Sequence, residues 1–180
     1  MRSRWPRRDV LDTASMTAQD RAVRPLSTVE TCTMPILHDP PIRDAIKQRI
    51  TALRPDAERR WGRMTVDQML WHLNCGLENS LGRYDVKDQK LPLPNAVLKF
   101  LVLNFPWRKG RTPTAPEFVA RDRYDFAAEQ ARLLRLIDEV TAKSVDAEWP
   151  KSSFMGQMTG RDWSRLGAKH LDHHLCQFGA

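Results

Sequence analysis

The sequence predicts an all-α protein built as a four-helix bundle, and three observations lead there. Apolar side chains recur at helical spacing in four separate stretches, and no long run alternates as a half-buried strand would. Only eight glycines occur in 180 residues, and long β-branched runs are missing, which sets aside an all-β fold. The connection between the second and third stretches is about forty residues, far more than an antiparallel helix hairpin needs. Such a length suits a crossover that returns the chain to the same end of a bundle, with the second and third long helices parallel.

Composition narrows the function classes. A chain that is 41% hydrophobic and 28% charged is an ordinary globular protein with enough length for one full core. The net charge of +7 is spread out; apart from the opening RSRWPRR no basic run is dense enough to track a phosphate backbone. A nucleic-acid partner is therefore not expected. Cys32, Cys75 and Cys176 are odd in number and far apart, which argues against a disulfide scaffold or a thiolate zinc site. The longest apolar stretch, near Val97 to Val102, is too short to span a bilayer, and no secretory signal follows the first arginines. A cytoplasmic protein without a membrane partner is the expectation.

Residues 1–33 show no apolar periodicity and are rich in Arg, Ser and Thr, so they read as a disordered tail ahead of a domain over 34–180. In that domain Asp39, followed by Pro40 and Pro41, suits a helix entrance. Ile42, Ala45, Ile46, Ile50 and Leu53 mark one face of the first helix, and Arg54-Pro55 closes it. Thr65 and Gln68 form a capping-box pair ahead of a second helix, which reaches about Leu81 and stops at Gly82. Val66, Met69, Leu70, Leu73 and Leu77 are its apolar stripe, with His72 on the stripe's edge. Gly76 is unfavourable inside a helix by about 1 kcal/mol, so its smallness serves close packing or an opening near His72.

The proline-rich crossover carries one short helical segment, AVLKFLVLNF, which is apolar nearly all round and is expected to cap one end of the core. A third long helix is expected from about Arg123 to Lys143, with Leu133, Leu134, Leu136, Ile137 and Val140 in the core. The last helix, Gly160 to Gln177, starts at Thr159 with Asp162 as its capping partner. His170 and His174 project about 40° apart on its buried side, flanked by Trp163, Leu166 and Leu171. Two imidazoles one turn apart present two lone pairs to one point, as a divalent metal requires. The spacing alone is a weak signal, and it also describes two hydrogen-bonded core histidines. His173 falls towards the polar boundary, as a solvent-side residue or a support for the ligands.

The segments WGRMTVDQMLWHL and TGRDWSRLGAKHLDHHLCQFG together resemble the DinB-like superfamily, and more closely a bacterial branch of unknown function. The resemblance spans residue 34 to the end. It implies a four-helix bundle of up-down-down-up connectivity and a divalent ion (Zn²⁺, Ni²⁺ or Fe²⁺) held by His72, His170 and His174. It further implies a metal-dependent transferase or hydrolase acting on a small molecule, with a low-molecular-weight thiol as co-substrate in some relatives. The alternative is a non-catalytic bundle whose metal is structural or absent, and whose exposed faces bind a partner or a second copy of the chain. HExxH is absent, and no general base is apparent. Cys75, one turn from His72, is either a fourth ligand, a reactive thiol or a small semi-buried residue. Asn79 is either a support for the ligands or ordinary surface.

Overall fold

The regular structure of the described residues consists of five α-helices and a short 3-10 turn at Pro116–Phe118. The helices are α1 (Pro40–Ala52), α2 (Val66–Ser80), α3 (Asn95–Asn104), α4 (Phe126–Ala142) and α5 (Gly160–Gln177). The computed structural model describes residues 34–84, 92–110 and 116–180; the tail expected over 1–33, with Cys32, lies outside the described residues. No strand is present among them.

Local chemistry sets most helix ends. Pro40 and Pro41 open α1, and Leu53 turns extended ahead of Arg54-Pro55. The Thr65 N–H donates to Gln68 Oε1 at 3.0 Å to start α2. At α5 the pairing is reciprocal: the Asp162 N–H donates to Thr159 Oγ1 at 3.1 Å and the Thr159 N–H to Asp162 Oδ2 at 3.1 Å. One boundary differs from the sequence expectation. α4 begins at Phe126, capped by Asp125, whose side chain accepts from the Ala128 N–H at 2.7 Å. Arg123 and Tyr124 stay outside it because Asp67 of α2 claims them, accepting from Tyr124 N at 2.9 Å and Arg123 Nε at 3.0 Å.

Cross-helix contacts give the directions. Asp67 meets Tyr124, Asn74 meets Glu129 and Glu78 meets Arg132, so α2 and α4 run the same way. Lys47 meets Asp138 while Gln130 reaches back to Ile50, so α1 opposes α4. The His38 N–H donates to Ser164 Oγ and Arg49 pairs with Asp172, so α1 and α5 run together. α2 packs on both α4 and α5, as α1 does.

The core lies where the four apolar stripes meet. Ile50, Met69, Leu70, Leu133, Ile137, Leu171 and Leu175 are fully buried in it, each contributing about 1.5–3 kcal/mol on transfer from water. α3 lies against α5. Lys99 reaches Asp162 and the Gln157 carbonyl, while Lys169 donates to the carbonyls of Val102 and Phe105 at the helix's end. Leu98 and Val102 of α3 turn inward and pack against the core. Phe100 and Phe105 face outward and are exposed. No helix among the described residues is long and apolar enough to cross a membrane.

Candidate metal centre

Three of the described histidines converge. The α2 stripe carries His72 to the face opposite α5, and the i, i+4 spacing on α5 places His170 and His174 one turn apart against it. His72 and His170 bring their Nε2 atoms to 2.9 Å, and the His72 and His174 ring centres are 5.0 Å apart. One nitrogen from each of the three lies within 4.8 Å of the others.

Which nitrogen is offered follows from what the other one touches. His72 Nδ1 sits 2.9 Å from the Phe118 carbonyl. A carbonyl only accepts, so in the neutral ring Nδ1 carries the proton and Nε2 keeps its lone pair. His174 repeats the device: its Nδ1 is 2.8 Å from Gln177 Oε1. Gln177 is itself held, its Nε2 donating to the Trp61 carbonyl at 2.7 Å. Gly62 makes room for that reach: its φ is +79°, and a Cβ there would lie 2.6 Å from Gln177 Nε2.

His170 is admitted by Gly76. A Cβ at that position would stand 3.1 Å from His170 Nδ1 and 3.2 Å from its Cε1. Both uses expected for this glycine are present: it packs closely against a facing imidazole and lines the cavity beside His72.

The electrostatics keep the cluster neutral. Burial pushes His72 down, against a smaller opposing effect of the Phe118 carbonyl. Burial and then the neighbouring His72, His174 and His173 hold His170 well below the usual imidazole range. Burial and His72 push His174 down to about 3. Neutral imidazole is the ligating form, so all three are ready to bind an ion at pH 7. The donor set, three nitrogens with at least two tautomers fixed, could hold a metal ion.

The cluster opens on a cavity of about 660 Å³ lined mostly by apolar side chains, a size suited to a small organic ligand. His173 lines it too, edge-on to Trp61 (5.9 Å between ring centres) and to Trp107 (5.5 Å). Burial and then Lys169 and Lys109 push His173 down, against the pull of Asp172.

Other candidates fall away from the ion site. Cys75 is buried, within 3.1 Å of the Tyr84 hydroxyl, and burial pushes its thiol up to about 11. It is not among the three clustered residues. Asp172 pairs with Arg49 at 2.7 Å and Glu78 with Arg132 at 2.7 Å. Cys176 lies 3.4 Å from Arg49 on the outer side. Asn79 lines the cavity.

A sequence model of the family described as "Protein of unknown function (DUF1569)" matches residues 39–180. The chain belongs to this family. No curated protein and no solved structure gives a significant match. The family match covers all five helices and every residue of the cluster.

Sequence reasoning gave no role to several residues that build the site's surroundings, Gln177, Phe118, Trp107 and Lys109 among them. Gln177 had a signal, three residues after His174 in the QFG ending, at the spacing of one helical turn. Phe118, Trp107 and Lys109 had none, because the crossover brings them in without periodicity.

Proposed function

We propose that His72, His170 and His174 hold a divalent metal ion beside the cavity, and that the protein is a metal-dependent transferase or hydrolase acting on a small molecule. This is the reading the DinB-like resemblance implies, with a low-molecular-weight thiol as the candidate co-substrate. The observation that carries it is the set of ring nitrogens left over once the Phe118 carbonyl and Gln177 have fixed their neighbours, facing one another within 4.8 Å. Three protein ligands rather than four leave room for a substrate or solvent atom, the mark of an open site. Bound there, the ion supplies Lewis acidity and lowers the pKa of a ligated water or thiol.

The chain's own residues do the rest. The Phe118 carbonyl and Gln177 hold two ligand rings in tautomer and orientation, and Trp61, Trp107 and His173 wall the cavity on one side. No Asp or Glu is among the cavity's described lining residues.

A second reading is favoured by the exposed apolar face of α3, where Phe100 is 58% exposed and Phe105 52%. There the metal fastens α2 to α5, and the protein acts as a binding module for a partner or a second copy.

Metal analysis of untagged protein tests the shared premise: near-stoichiometric metal is expected in the parent and none in His170→Ala. A parent that takes up no Zn²⁺, Ni²⁺ or Fe²⁺ on loading would sink both readings. Thiol-conjugation and hydrolysis screens on metal-loaded and chelated protein then divide them, since only the enzyme gives metal-dependent turnover.

A further inference from the structure

The permanent charges on the cavity's described lining residues are all of one sign. Among its described lining residues the only permanently charged side chains are Arg63 and Lys109, and both are exposed. Lys109 Nζ stands 4.6 Å from the centre of the Trp61 ring, and that ring is edge-on to His173, which abuts His174 at 5.1 Å between ring centres. A path of contacts therefore runs from a fixed ammonium, across an aromatic wall, to the ligand cluster. Ammonium over indole is a favourable placement, and it leaves N–H donors of Lys109 available to a ligand.

From this we propose that the cavity takes a small organic oxyanion: an apolar body against Leu98, Val102 and Trp107, with its carboxylate- or phosphate-type group at Lys109 and Arg63. The inference rests on the cavity being the substrate site and names the class of substrate it admits. The physical argument has two halves. An anion entering apolar surroundings loses hydration and needs a partner charge, which Lys109 and Arg63 supply at the solvent edge. A cationic ligand meets no carboxylate among the described lining residues and is repelled by both side chains, so the site discriminates by repulsion as well as attraction. The cavity's volume of about 660 Å³ admits a bicyclic body while leaving the histidine end free.

Calorimetric titration of the full chain with 2-naphthoate, 2-naphthylphosphonate and neutral 2-naphthamide tests this. Zinc-loaded and chelated protein are compared, for the parent and for Lys109→Gln/Arg63→Gln. At least one oxyanion is expected to bind the parent tenfold or more tighter than the amide, with or without zinc. In the double variant that preference should fall below threefold while the amide's affinity holds, which also shows that the variant is folded. Which oxyanion binds tighter assigns carboxylate or phosphate chemistry. Equal affinity for amide and oxyanions in the parent, no binding of any probe, or a preference that survives in the double variant would overturn the proposal. A preference seen only with zinc assigns anion reading to the ion, which overturns this proposal and supports the metal site. Absence of zinc binding with a Lys109-dependent preference does the reverse.

Discussion

His38 and the His72–His170–His174 cluster are two histidine sites in one domain, and their ring nitrogens are spent differently. His38 Nε2 lies 2.9 Å from the Lys143 carbonyl and Nδ1 lies 2.7 Å from Ser164 Oγ. The Ser164 oxygen also accepts from the His38 backbone N–H at 3.1 Å. Both ring nitrogens are committed, and the residue ties the entrance of α1 to α5 and to the end of α4. In the cluster, His72 and His174 each commit one nitrogen to a protein acceptor and turn the other towards a neighbouring imidazole. Burial alone does not separate the two sites. What separates them is whether a lone pair is left over and whether several such lone pairs meet.

The sharpest test of that distinction is metal affinity. His170→Ala should abolish stoichiometric zinc, weakening binding by about a thousandfold or more, while His38→Ala keeps it, as read by metal analysis after dialysis. Equal metal loss in both variants would break the comparison. Next in size is stabilisation by zinc: at a thousandfold excess over Kd it should reach about 4 kcal/mol. That corresponds to a rise in Tm of roughly 8–16 °C for a domain of this size. Scanning calorimetry should show the rise in the parent and in His38→Ala and no rise in His170→Ala.

Without metal the order reverses. His38→Ala should cost about 2–4 kcal/mol in urea unfolding, because it strands the fully buried Ser164 hydroxyl and the Lys143 carbonyl. Metal-free His170→Ala should cost less than that, since it removes a partly exposed, neutral ring that lines the cavity, where solvent can take its place. Gly76→Ala sharpens the point further. The new methyl meets the His170 ring at 3.1 Å, so zinc affinity should fall by about tenfold. Stability should change by less than about 1 kcal/mol, since alanine's better helix propensity offsets the crowding. A loss of stability without a loss of zinc affinity would mean that His170 is a packing residue.

The smallest effect belongs to Cys75. With its thiol pushed up to about 11, it stays protonated through neutral pH, and its reactivity rises only as pH approaches that value. Peptide mapping after iodoacetamide treatment at pH 7.5 should find it essentially unmodified, and Cys75→Ser should keep its full zinc content. Rapid alkylation at pH 7.5 would return this cysteine to the site.

Much of this arrangement is readable in particular residues. The ends of α2 and α5 follow from Thr65 with Gln68 and Thr159 with Asp162 because capping is decided within one turn. His170 and His174 share a face because helical periodicity puts them there. The start of α4 was not readable from Arg123 and Tyr124, whose partner, Asp67, is more than fifty residues earlier. The spacing around Gly76 left close packing and an opening beside His72 both open, because the ring it packs against belongs to another helix. His38 has no pattern around it that separates it from a surface histidine.

By itself the chain's order of residues determined the helices, their apolar faces and the histidines those faces carry, because each depends on interactions within a few residues. Tertiary structure alone decided which nitrogen His72 and His174 offer, and what stands around them. That choice rests on the Phe118 carbonyl 46 positions beyond His72, on the Trp61 carbonyl that holds Gln177, and on a crossover bringing Trp107 and Lys109 to the same cavity. None of these contacts leaves a period in the sequence, because each is a single meeting of distant segments rather than a repeated local preference.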